Sequence, residues 1–131
     1  DNYLRLAAEY DNFRKRSQKE KDHIYNEGVS DTLKKFLPIY DNLERAMQQA
    51  TADEAYKKGV EMIMTAMKDT LDKCGVTVYG EKGEGFDPAL HNAVMHVEDD
   101  SLGEKVIAEV FQTGFRLGDK VVRFAMVRVA N

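Results

Sequence analysis

With 131 residues, 43% of them hydrophobic, the chain holds one domain's worth of material and enough apolar surface for a core. Charged residues make up 32% of it, yet the net charge is only −4, so bulk charge gives no support to a nucleic-acid or phosphate-binding role. No apolar run approaches the roughly 20 residues that span a bilayer, no signal-peptide pattern is present, and the single cysteine, Cys74, excludes an internal disulfide. A soluble cytoplasmic protein with no membrane partner is expected.

Tyr3, Leu6, Tyr10, Phe13 and Ile24 follow a three-four alternation, with the polar Ser17 and Glu20 on the same seam. The helical signal continues through Val29, Leu33, Phe36, Leu37, Tyr40, Leu43 and Met47. Gly28 and Pro38 are its only breakers. A stalk ending near Gly28 is expected, with Ser30 capping a restart and Pro38 kinking the next helix. A further helix reads over 53–73, with Tyr56, Val60, Ile63, Met67, Leu71 and Cys74 on one face and Gly75 as its stop.

After Gly75 the period changes to two. Val76 and Val78, then Val106, Ala108 and Val110, then Val122, Phe124 and Met126 alternate as strands do. Between them Asp87 and Pro88 resemble an N-cap and first helical residue, which predicts one or two helical turns over 89–94. Gly114, Gly118 and Asp119 mark a bend and a tight turn. The fold class is therefore α+β, divided as a helical stalk over 1–29, a helical hairpin over 30–75 and a small β-wing over 76–131. Within the wing, 81–104 holds seven acids and one base, whereas 105–131 holds five bases and two acids. Charge compensation inside one sheet and a basic face turned to a partner both explain this division.

A helix over 3–27 would be about 37 Å long, and no other segment is long enough to cover its seam. Helical stability comes mostly from packing an amphipathic face, so a homodimer paired in the manner of a coiled coil is expected. Two hairpins from two chains would then form a four-helix bundle enclosing Phe36, Leu37, Tyr40, Ile63, Met67 and Leu71. The alternative is a single-chain bundle folded back on itself.

Candidate chemistry is sparse. His91 and His96 are five apart, not the four that put two metal ligands on one helical face, and Cys74 reads as a buried, inert thiol. The glycines at 80, 83 and 85 are accompanied by Glu81 and Glu84, which would repel a phosphate, so the stretch reads as a loop. Met62, Met64 and Met67 read as core filling. No catalytic residue, metal site or cofactor is assigned.

Four blocks carry a resemblance along nearly the whole chain: AEYDNFRKR at 8–16, FLPIYDNLERA at 36–46, GFDPALHNAV at 85–94, and QTGFRL at 112–117 followed by VVRFAMV at 121–127. In this order they resemble the GrpE family; the departure is Phe124, where proline or alanine would follow the arginine. The resemblance implies a symmetric dimer with a helical stalk, a four-helix bundle and two β-wings. It implies a bacterial, non-enzymatic co-chaperone that binds the ATPase domain of a DnaK-type chaperone and opens its cleft to release ADP, in support of protein folding and the heat-stress response. By matched position it places chaperone contacts at Arg14, Gly59, Phe111, Lys120, Arg123 and Val129. A further basic stalk contact falls on His23, which weakens it. Arg123 has a second reading within the sheet, and Phe111 and Val129 a second reading as wing core. The family stalk is also credited with sensing heat, and the polar Ser17 and Glu20 make early melting of the stalk an expectation. Because Asp1 opens inside an apparent helix, a preceding segment in contact with unfolded substrate or chaperone is expected as well.

Overall fold

The computed structural model describes residues 1–131, which separate into two compact units, Asp1–Thr32 and Leu33–Asn131. Helix α1 (Asn2–Gln48) starts in the first unit and ends in the second. The Asp1 carboxylate accepts from the Tyr3 amide at 2.9 Å. Within Asp1–Thr32 the surface is laced by local ion pairs, Arg5 with Glu9 and Asp11 with both Arg14 and Lys15. Exposed pairs of this kind are screened by solvent and add little to stability. The apolar residues of this unit find no cover in it: Tyr3, Leu6, Tyr10, Phe13 and Ile24 are all exposed.

The expected interruption near Gly28 does not occur. Gly28 costs the helix only about 1 kcal/mol relative to alanine, and Ser30 lies inside the helix, buried, instead of capping a restart. Pro38 is also accommodated within α1. It sits on the exposed side, where the Lys34 carbonyl that loses its partner can be hydrated, while Leu37 and Tyr40 beside it are anchored in a core.

In the second unit, Asp53 caps helix α2 (Glu54–Lys73) by accepting from the Tyr56 amide at 3.1 Å. Gly75, at φ +79°, supplies the left-handed residue that ends it. Six strands follow: β1 (Val76–Tyr79), β2 (His91–Val97), β3 (Val106–Gln112), β4 (Gly114–Leu117), β5 (Lys120–Arg123) and β6 (Ala125–Ala130). They form two three-stranded sheets. The first has the order β1-β4-β5 and is antiparallel throughout; the second has the order β2-β6-β3, with β2 parallel and β3 antiparallel to β6.

Each sheet serves its own core. Leu37 and Tyr40 of α1, Met64 and Leu71 of α2, and Val76, Phe115 and Val122 of the first sheet close one core, in which the Tyr40 and Phe115 rings meet edge to face at 4.9 Å. Ile107, Ala125, Val127 and Val129 close the other.

Several expectations are corrected here. Asp87 caps a single turn at 88–90, but the chain then enters β2, because pairing with β6 overrides a helix of so few residues. Val122, Phe124 and Met126 do not share a strand: Val122 ends in the first core, Met126 lies in the second sheet, and the half-exposed Phe124 is the crossing between them. Cys74 is exposed, since it is the C-cap of α2 and faces outward. Met62 is exposed too; only Met64 of the three methionines is fully buried and Met67 partly so.

Candidate functional site

Arg14 is exposed on α1, its guanidinium donating to Asp11 at 3.1 Å. Lys15 holds the Asp11 carboxyl below its ordinary range, so this turn carries fixed charge of both signs. Gly59 is exposed on α2, and a Cβ there would meet nothing within 4 Å, which leaves a bare patch of helix backbone. Phe111 at the end of β3 is 46% exposed, whereas Val129 is 6% exposed and packs in the second core. Lys120 opens β5, partly buried. Among the expected interface residues, Leu37, Tyr40 and Leu71 are buried in the chain's own core and Met67 partly so, while Phe36 and Ile63 are exposed.

Arg123 turns inward. Its Nη1 and Nη2 donate to the two carboxylate oxygens of Asp41 on α1 at 2.7 and 2.8 Å, and its Nε and Nη2 donate to the Thr113 carbonyl at 3.1 and 2.7 Å. The guanidinium also lies 5.1 Å from the centre of the Phe115 ring. A fork-to-fork pair fixes direction as well as distance, so the arginine is committed to the protein's own helix. One turn along α1, Glu44 accepts from the Thr113 hydroxyl at 3.0 Å. Burial pushes the Glu44 carboxyl up, partly opposed by that hydrogen bond, and burial with the Glu44 and Asp41 charges pushes the Tyr40 hydroxyl up to about 12.

Asp41, Glu44 and Thr113 border a polar groove of about 860 Å³ that also includes Arg45, Lys82 and Phe111. With acids and bases both in its walls, and Arg128 paired to Glu109 at 3.1 Å, it suits a charged protein surface better than a small anion. A second, apolar groove of about 580 Å³ runs past Phe86, Pro88, Val94, Met95 and His96 on the second sheet. His91, by contrast, is an internal residue: its Nδ1 accepts from the Asp87 amide at 3.0 Å, and its ring packs against Tyr79.

Asp41, Glu44 and Thr113 were not singled out by sequence reasoning. All three lie inside the quoted blocks, but Asp41 and Arg123 are 82 residues apart, and no local period marks such a pair.

The fold defines a class: an α+β protein with a long helix, a shorter helix and two small sheets. The chain belongs to the GrpE family, whose model, described as GrpE, matches residues 1–131. It is 53% identical over 131 residues to a Protein GrpE from Clostridium beijerinckii, covering all of this chain and 63% of that one. Against a Protein GrpE from Clostridium acetobutylicum the identity is 50%, over all of this chain and 65% of the relative. A Protein GrpE from Geobacillus stearothermophilus is 39% identical over 98% of this chain and 60% of its own length. The chain thus spans 60–65% of the length of these curated relatives. No helix is long and apolar enough to cross a membrane.

Proposed function

We propose that this chain is the folded part of a nucleotide exchange factor that acts on the ATPase domain of a DnaK-type chaperone, in the bacterial cytoplasm and without catalysis of its own. The observation that carries this reading is the GrpE family match along all 131 residues. In the proposal, residues 1–29 pair with a second copy as a stalk, 30–75 join its hairpin in a four-helix bundle, and 76–131 form a wing. Exposure of Tyr3, Leu6, Tyr10, Phe13, Ile24, Phe36 and Ile63 supports a second copy as their cover. The chaperone is met by Arg14, by the bare backbone at Gly59, and by Phe111 and Lys120 of the wing, with Arg123 and Val129 acting from behind that surface.

Exchange is a population shift. The factor opens the chaperone only by binding its open state more tightly than its closed, ADP-bound one, and linkage then requires nucleotide to weaken the complex. Release of a fluorescent ADP analogue from such a chaperone, followed by stopped flow, tests this. The native chain is expected to speed release and Gly59→Asp to do so little, with self-association of both verified by sedimentation. Unchanged release by an associated native chain overturns the reading. We further propose that residues 1–29 melt before the rest, which two transitions in a circular-dichroism melt would reveal and a single shared one would refute.

A further inference from the structure

Three passages of the chain between the two sheets converge on one spot. β1 leaves the first sheet at Tyr79 and Gly80, β3 passes into β4 through Thr113, and β5 passes into β6 through Phe124. The convergence is close. A Cβ on Gly114 would lie 2.5 Å from the Tyr79 ring and 2.9 Å from the Ala125 nitrogen, and one on Gly80 would lie 2.8 Å from the Ala125 Cβ. The Tyr79 hydroxyl donates across the same spot to the Leu90 carbonyl at 2.6 Å, with the Arg123 carbonyl at 3.3 Å.

The second sheet has a core of its own, separate from the one that holds the first sheet to the helices. Its orientation against the helices therefore depends on this junction. From the junction, Arg123 reaches α1 through its bidentate pair with Asp41 while gripping the Thr113 carbonyl, and Thr113 reaches α1 again through Glu44. The Arg123 side chain is 17% exposed, so salt screens this pair less than one on the open surface. Lysine could not reproduce the fork.

We propose that Arg123 and Asp41 are positioning residues that fix the second sheet against the helices, so that a push by the wing on a bound chaperone is borne by the helices instead of being lost in a swing of the sheet. The inference rests on the exchange reading above and deepens it. It assigns the pair to how far the chaperone's cleft is opened, not to how tightly the chaperone is held. Arg123 consequently acts without touching the chaperone.

The test compares the native chain, Asp41→Asn, Arg123→Lys and the double variant in ADP-analogue release over a range of factor concentrations. The positioning role predicts that each single variant lowers the maximal release rate by about fivefold, the low end of ordinary coupling between sites. The half-saturating concentration stays nearly unchanged, and the double variant is no worse than either single one. If Arg123→Lys raises the half-saturating concentration while Asp41→Asn behaves as native, Arg123 is a contact residue and the proposal is overturned. It is equally overturned if both variants match the native chain.

A second readout is independent of the chaperone. The Arg123 Nε–H resonance of the native protein is expected to exchange slowly with water, and Asp41→Asn to accelerate that exchange while the amide spectrum of β6 stays dispersed. If the native chain fails to speed ADP release, the exchange reading falls, and this resonance alone decides the positioning role. A fast-exchanging Nε–H in the native protein overturns it; a protected one that Asp41→Asn exposes sustains it.

Discussion

Phe13 and Phe115 are the same side chain in opposite situations, 56% exposed in one unit and 0% in the other. Residues Asp1–Thr32 form a single stretch of helix, and a lone helix has no second element on which to lay its seam. Residues Leu33–Asn131 have two helices and two sheets with which to close two cores. The apolar content of the chain is thus divided in two, one part buried within the chain and one part left exposed. The contrast should appear first in stability. Phe115→Ala removes a ring from the centre of a packed core and is expected to cost about 3–5 kcal/mol, measured by urea unfolding. Phe13→Ala is expected to change the stability of a dilute monomer by no more than about 0.5 kcal/mol, with a loss that grows as protein concentration rises. A concentration-independent loss at Phe13 would break the comparison.

Glycines sharpen the same division. At Gly114 the space for a Cβ is taken by the Tyr79 ring and the Ala125 backbone, so Gly114→Ala must push the sheet junction apart. A destabilisation of about 1–3 kcal/mol follows, again readable in urea. At Gly28 a Cβ would meet nothing within 4 Å and the residue lies inside α1. Gly28→Ala is therefore expected to stabilise the helix by about 1 kcal/mol, and to raise the lower-temperature part of a far-ultraviolet circular-dichroism melt. If it lowers that part instead, the exposed face at Gly28 is closely covered by another chain.

Local pattern made the helices legible, and tertiary pairing hid much of the rest. The three-four spacing from Tyr3 to Met47 announces α1, and Asp53 and Gly75 delimit α2 as caps of the expected kind. Breakers weigh less than packing: a glycine worth about 1 kcal/mol and a proline with its freed carbonyl in water do not stop a helix anchored by Leu37 and Tyr40. β2 is not legible locally, because residues 91–97 carry no clean alternation and become a strand through pairing with β6, more than thirty positions away. Residues proposed to meet a partner, such as Gly59, came from the resemblance alone. The inward turn of Arg123 required knowing that Asp41 lies opposite, which only the folded chain reveals.

The smallest effect concerns two acids one turn apart on α1. Asp41 is neutralised by the fork of Arg123, whereas Glu44 has only the Thr113 hydroxyl and is raised above its ordinary value of 4.5, chiefly by burial. A carboxyl raised on folding favours the folded state fully below its unfolded pKa and loses that contribution as pH climbs through its folded one. At neutral pH the ionised Glu44 is therefore a liability, and Glu44→Gln, whose amide oxygen can still accept from Thr113, should stabilise the protein. Because the group is only half-buried, the gain should stay under about 1 kcal/mol, and it should vanish when unfolding is measured at a pH below that ordinary value. Asp41→Asn should destabilise at neutral pH, because it leaves a partly buried guanidinium without its counter-charge. Opposite signs at Asp41 and Glu44 would show that the two acids do different work at the same junction; a common sign would mean that the helix end responds only to total charge.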